Sequence, residues 1–238
     1  AERSAEIRSA QRLRHRVFVR EMGARLESPA GVPEGLDVDR FDPFCEHLLV
    51  RVVDAGSTKP GKVVGTYRVL TPDAAKRAGG YYSETEFDLD PVRPLLGKAV
   101  ELGRSCVHPK WRSGGVVMAL WGALGEFMLR NDLDTMIGCA SISMRDGGHT
   151  AASLWARLKE THLAPAEWRV TPRLALPVDD LRQDLDAEVP ALIKGYLRCG
   201  AMVLGPPAWD PDFNTADLPL LMRFESLPAR YRKHFLGC

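Results

Sequence analysis

Val100-Glu-Leu-Gly-Arg-Ser-Cys-Val-His-Pro-Lys-Trp-Arg-Ser-Gly-Gly-Val-Val117 is the stretch whose reading decides the fold. It reads as a strand over 99–107, a turn, and a Gly-Gly pair opening a helix. In that helix Val116, Val117, Leu120, Trp121, Leu124, Phe127 and Met128 form one wide apolar face. A further strand is predicted over 135–142. A strand–helix–strand unit implies a parallel pair joined by a crossover. Free N–H groups at a helix start favour anions, and glycine lets a ligand come close to the backbone. The segment can therefore hold a phosphate or pyrophosphate; an ordinary helix start with glycine at its entry would read the same way.

Upstream, Ile7, Ala10, Leu13 and Val17 sit three or four apart and predict a helix over 4–22. Residues 23–43 are rich in Gly, Pro and Asp and predict an irregular loop. Strands are expected over 47–53 and 62–70, antiparallel across a turn-like 54–61. Downstream the pattern predicts a helix over 150–162, a long surface excursion over 163–189 and a helix over 190–198. Strands over 201–204 and 218–225 and a terminal helix over 227–235 complete it. The expectation is an α/β fold of one domain over residues 1–238, a mixed central sheet with helices on both faces.

The chain has 238 residues and a net charge of +1, so no global field points to nucleic acid. No apolar run is long enough to span a bilayer. Residues 1–6 lack the apolar core of a signal peptide, so a cytoplasmic protein is expected. Cys45, Cys106, Cys139, Cys199 and Cys238 form no Cys-x-x-Cys pair and match no zinc spacing, and they read as free thiols in a reducing compartment. No metal is expected.

Val107, Pro109, Arg112 and Gly115 spell Val-x-Pro-x-x-Arg-x-x-Gly after a strand, which resembles the acyl-donor motif of the GNAT acyltransferases. Val117 departs from it, because small residues are usual there. The resemblance implies a GNAT fold with a pantetheine arm lying along the strand at Cys106 and Val107. The donor's phosphates would meet Arg112, Gly114 and Gly115, and the next strand would splay away to admit an acyl chain. Val117 crowds the approach of a coenzyme A pyrophosphate and would fit the single phosphate of acyl carrier protein.

A second set of blocks is more specific. Asp37-x-Asp-x-x-Asp42, Gly65-Thr-Tyr-Arg68 and Glu101-Leu-Gly-Arg104 follow Arg16-Val-Phe-Val in an order that resembles the acyl-homoserine-lactone synthases. Phe41-Asp-Pro-Phe-Cys-Glu-His, Gly80-Tyr-Tyr-Ser-Glu-Thr-Glu and Ala229-Arg-Tyr-Arg-Lys-His-Phe235 are closer to the ornithine–acyl carrier protein N-acyltransferases, which make lyso-ornithine lipid. This resemblance spans about residues 7 to 236. It implies transfer of a 3-hydroxy fatty acyl group from acyl carrier protein, or acyl-CoA, to the α-amine of an amino acid. Ornithine is the first candidate, and glutamine or another remains open. It also implies transient contact with the inner membrane face. A lactone synthase, a small-donor acetyltransferase and a non-catalytic acyl-thioester binding module are the rival readings.

The chemistry of the residues agrees with amino-acid acylation. Arginine suits a two-pronged hold on a carboxylate, so Arg68 and Arg104 are candidates for the acceptor. An α-amine of reference pKa about 7.7–8.0 needs only a modest base, and Glu101 can supply it directly or through water. In a regular strand Glu101 and Arg104 face opposite ways, so a β-bulge is expected near Gly103. Asp37, Asp39 and Asp42 could steer a cationic substrate or hold Arg16 and its basic neighbours, while serving equally well as turn residues. Arg12, Arg14 and Arg16 read as a basic face for acidic acyl carrier protein or as plain surface charge. His47 and His108 read as structural. Cys106 has no motif partner that would make it a nucleophile.

Overall fold

The computed structural model describes residues 4–26, 29–53, 56 and 61–236. The turn expected over 54–61 therefore falls largely outside the described residues, as does Cys238. The chain opens with α1 (Ser4–His15), which widens into a π-helical turn over Arg16–Glu21 instead of continuing as one α-helix. Then come β1 (Glu46–Val52), β2 (Lys62–Leu70), the short α2 (Pro72–Ala78), β3 (Phe87–Asp88) and β4 (Ala99–Val107). α3 (Gly115–Arg130), β5 (Thr135–Ser143), α4 (His149–Thr161) and β6 (Thr171–Pro172) follow. The chain closes with α5 (Ala191–Arg198), β7 (Met202–Val203), β8 (Ala208–Asp210), β9 (Thr215–Arg223) and α6 (Ala229–Leu236).

The main sheet runs β1-β2-β4-β5-β9-β7, with β8 also paired to β9. β4 and β5 are parallel and every other pair is antiparallel, so the expected crossover through α3 is present. One face is apolar: Val100, Leu102 and Met136 pack with Leu120, Leu124 and Met128 of α3, and Ala140, Ile142 and Leu218 pack with Leu154 of α4 and Ile193 of α5. The opposite face carries α1 at one end, through Leu13 and Val17 against Val63 and Cys106. Its middle is covered by irregular chain containing Phe41, Phe87 and Val92. Residues 163–189 are not a free excursion, since Ala164, Val170 and Leu176 are all buried in the core. The short strands β3, β6 and β8 carry too few residues to leave a readable period-two pattern.

β4 pairs with β5 only from Ala99↔Thr135 to Glu101↔Ile137, whereas β5 stays on β9 over its whole length. The two parallel strands then part, leaving residues 102–107 without a ladder on that side. Gly138 stands where they separate: a Cβ there would lie 2.5 Å from the Leu102 carbonyl oxygen. Backbone cannot yield as a side-chain tip can. Gly138→Ala is expected to destabilise the protein by about 1–3 kcal/mol, read as a lower midpoint in urea unfolding.

Candidate active site

The expected bulge is present. Thr66 pairs with Cys106 and Arg68 with Gly103, so β4 carries one more residue than β2 across this interval. Arg104 takes the extra turn with φ of 51°, a left-handed conformation that a non-glycine side chain rarely adopts. The result brings Glu101 and Arg104 to the same side. The Tyr82 N–H donates to Glu101 Oε2 at 2.7 Å, while the Tyr82 ring lies 5.1 Å below the Arg104 guanidinium.

Glu101 is almost completely enclosed, and its carboxylate is held by the turn Tyr82–Thr85. Oε1 accepts from the Ser83 N–H at 2.7 Å and from Ser83 Oγ at 2.6 Å. Burial pushes its pKa up, against the pull of the Ser83 and Tyr82 bonds. Among the described residues Oε2 has a single bond and so keeps an unused acceptor lone pair.

The three aspartates of the irregular loop meet three arginines, and the basic residue they hold from the first helix is Arg14, the neighbour of Arg16, rather than Arg16 itself. Arg14, fully buried, donates to Asp37 at 2.9 Å and to Asp42 at 2.6 Å. Arg68 donates to Asp39 at 2.6 Å and to Asp42 at 2.9 Å. Arg104 reaches Asp39 at 3.1 Å and lies 3.5 Å from Asp37. Among the described residues Arg16 makes no ion pair with these aspartates and is exposed, which corrects the expectation that they hold it and that Arg14 lies on a solvated face. The reason is helical phase: Arg14 follows Leu13 and precedes Val17 by three, on the inward stripe. The exposed arginines are Arg8, Arg12, Arg16 and Arg20, four apart. Burial pushes Asp39 and Asp42 upward. Arg68 and Arg104 at Asp39, and Arg14 and Arg68 at Asp42, outweigh it and hold both below the usual carboxylate range.

At the donor motif, Gly114 caps α3 with φ of 99°, and a Cβ at Gly114 or Gly115 would meet nothing within 4 Å. The helix start is thus open to a ligand. Arg112 donates from Nε to the Val107 carbonyl at 3.1 Å, and its two terminal nitrogens grip Glu21. Cys106 is buried and its thiol is pushed up to about 12 by burial, so it stays protonated. His108 accepts from the Lys110 N–H at 3.3 Å, a capping role, and burial lowers the pKa of His47.

Where β4 and β5 part, an apolar cavity is lined by Leu102, Gly138, Ala140 and Leu220. Met136, Tyr196 and Met222 border both it and a second cavity that reaches Trp121, Phe224 and Leu227. Among the site residues that sequence reasoning missed, Arg14 was marked by its place on the inner stripe. Ser83, Tyr82 and Gly138 carried no signal of their own, because each acts through a partner remote in sequence.

An Acetyltransferase (GNAT) domain family model matches residues 13–122. The chain is 38% identical over 242 residues to the L-ornithine N(alpha)-acyltransferase of Rhodobacter capsulatus, covering 97% of this chain and 90% of that protein. It is 37% identical over 245 residues to the enzyme of the same name from Brucella abortus, covering 97% and 85%. Among solved structures it resembles in fold the acyl-homoserine lactone synthase BjaI with SAM and isopentyl-CoA, at a TM-score of 0.53 and 17% identity over 95% of this chain and 79% of that one. It also resembles the AHL synthase LasI, at 0.51 and 15% over 99% and 90%.

Removing one member of a buried ion cluster strands its partners. Arg14→Met leaves Asp37 and Asp42 short of a cation and is expected to cost about 3–5 kcal/mol. Arg16→Ala, two positions on, is expected to stay within about 0.5 kcal/mol of the parent. Parallel chemical unfolding of the two variants checks the contrast.

Proposed function

Because the chain belongs to the L-ornithine N(alpha)-acyltransferase family, we propose that it transfers a long-chain 3-hydroxy fatty acyl group from acyl carrier protein to the α-amine of L-ornithine. The observation that carries the reading is the gap between β4 and β5 with Glu101 at its closed end. A pantetheine arm bound along residues 102–107 would add to the free edge of β4 and bring its thioester to Glu101. The apolar cavities beyond Gly138 are suited to the acyl chain.

In this reading the α-amine attacks the thioester carbonyl directly. Glu101 takes the amine's proton through the open side of Oε2 or by way of the Ser83 hydroxyl, and a backbone N–H near Val107 steadies the oxyanion. Collapse of the tetrahedral intermediate forms the amide and releases the pantetheine thiol. Arg68 and Arg104 line the acceptor side with their charges balanced by Asp39, Asp42 and Asp37, which leaves them as directional donors to a substrate carboxylate. The donor loop, with Arg112, Gly114 and Gly115, receives the pantetheine phosphate. Much of the acceleration would come from holding amine and thioester together, where effective molarities of about 10⁵–10⁸ M are attainable.

Acyl carrier protein is favoured over coenzyme A by the row Arg8, Arg12, Arg16 and Arg20. With Glu21 and Pro109 it lines a groove beside the donor motif, which suits an acidic protein. None of the helices among the described residues is long and apolar enough to cross a membrane. In this reading the reaction runs where acyl carrier protein is found, in the cytoplasm, and the lipid product leaves through transient contact with the inner membrane.

Mass spectrometry of products from purified protein, 3-hydroxyacyl carrier protein and pooled amino acids tests the reading. One dominant N-acylornithine is expected, with Glu101→Gln slower by about 10²–10⁴. No acylated product, from a carrier preparation active on a control enzyme, would overturn it. Arg12→Glu with Arg16→Glu is expected to raise KM for the carrier-protein donor about tenfold and to flatten its salt dependence, while a short pantetheine thioester is affected little. Steady-state kinetics with the two donors checks this.

A further inference from the structure

A second polar cluster lies beside Glu101, and the reaction just described makes no use of it. Glu86, Cys139 and Asp217 place two carboxylate oxygens and a thiol sulfur within 4.8 Å of one another. Glu86 directly follows the turn whose amides hold Glu101, Cys139 lies on β5 beyond the last pairing with β4, and Asp217 stands on β9 opposite Ser141. Asp217 is only 4% exposed, yet its Oδ1 has no hydrogen-bond partner among the described residues. Both carboxylate oxygens of Glu86 are equally enclosed and accept no well-formed hydrogen bond among the described residues, although Tyr82 and Cys139 lie close enough to draw its pKa down part of the way. The neighbouring Asp210 is differently placed, since its Oδ1 caps the turn at Asp212 and Phe213 and its Oδ2 meets the Tyr82 hydroxyl.

Buried carboxylates without donors are costly. Burial first, and the charge of Asp217 second, pushes Glu86 upward; burial and then Asp210 push Asp217 upward. Such a pair holds a proton when empty and is satisfied by a cation bearing several N–H donors. Its position says which cation. Ser83 Oγ bonds Glu101 Oε1 at 2.6 Å and accepts from Cys139 Sγ at 3.4 Å, so one short polar line joins the base to the acidic pair. An amino acid with its α-amine at Glu101 and its side chain along that line would end at Glu86 and Asp217.

We propose that Glu86 and Asp217 bind the side-chain ammonium of the acceptor and so select a diamino acid. This rests on the reading of the chain as an amino-acid Nα-acyltransferase. The assignment also explains how one of two amines in such a substrate is chosen. An ammonium held between carboxylates keeps its proton and is no nucleophile, while the α-amine at the thioester is free to lose its own. A metal ion fits the three groups less well, because Cys139 donates its S–H to Ser83 and burial holds the thiol well above its ordinary range.

The test compares ornithine with norvaline, which is ornithine without its side-chain amine, using one acyl donor and the variants Glu86→Gln and Asp217→Asn. Each variant is expected to lower the ornithine-to-norvaline ratio of kcat/KM about 10- to 100-fold, the range for one hydrogen bond to a charged group. Folded variants with the parental ratio would overturn the proposal. Should a variant fail to fold, calorimetry on the parent protein decides: ornithine is expected to bind at least about tenfold more tightly than norvaline, and equal affinities would overturn the assignment. Stoichiometric zinc retained by the parent and lost in both variants would do so too. A parent protein that acylates no amino acid at all defeats the acyltransferase reading instead, which keeps the two failures distinct.

Discussion

Three buried or near-buried arginines facing three loop aspartates hold this candidate active site together. Arg14 comes from α1, Arg68 from β2 and Arg104 from the bulge of β4, and all three converge on one irregular loop through Asp37, Asp39 and Asp42. That loop has almost no regular backbone pairing of its own, so its path is set by these charges. A buried ion cluster adds little net stability relative to an apolar core of the same shape. What it supplies is uniqueness, because any other arrangement of loop and helix would leave a bare charge inside the protein. The helix, the loop and two strands can therefore meet in one way.

The sheet divides its labour between its faces. The face under α3, α4 and α5 is an ordinary apolar core, and the strand residues there are Val, Leu, Met, Ile and Ala. The opposite face is polar over its middle, from Arg68 through Glu101 and Cys139 to Asp217. Polar residues survive there because the covering chain is irregular and brings backbone N–H groups inward, as Tyr82 and Ser83 do at Glu101. The parting of β4 and β5 links the two faces. It frees a backbone edge on one side, where the proposed pantetheine arm would lie, and opens apolar space toward the helices on the other.

The bulge shows why strain sits where it does. Arg104 occupies a left-handed conformation, at a cost of the order of 1–3 kcal/mol. Its guanidinium is compensated by two carboxylates and by the Tyr82 and Phe213 rings at 5.1 and 4.4 Å. Without the extra residue in β4, Arg104 would point into the apolar core beneath α3. The requirement could be read in advance, since Glu-x-x-Arg within a strand puts the two charges on opposite faces unless the strand breaks register.

Sequence alone determined the elements with long, clean periodicity: α3, the strands β1, β2, β4 and β5, and the parallel crossover between the last two. It also marked Glu101, Arg68, Arg104 and the three aspartates as a polar set among apolar neighbours, because such residues in β-prone runs need an explanation. The choice of Arg14 over Arg16 lay in helical phase, since two positions turn a side chain about half-way round the helix. Arg16 is the conspicuous residue in sequence, next to the Val-Phe-Val block, while the fold buries Arg14, in line with Ala10 and Leu13. The turn residues Tyr82 and Ser83, the separation at Gly138 and the meeting of Glu86 with Asp217 were decided only by tertiary structure. Each depends on segments tens of residues apart being brought to one face of the sheet, and no local propensity encodes which distant backbone a side chain will meet.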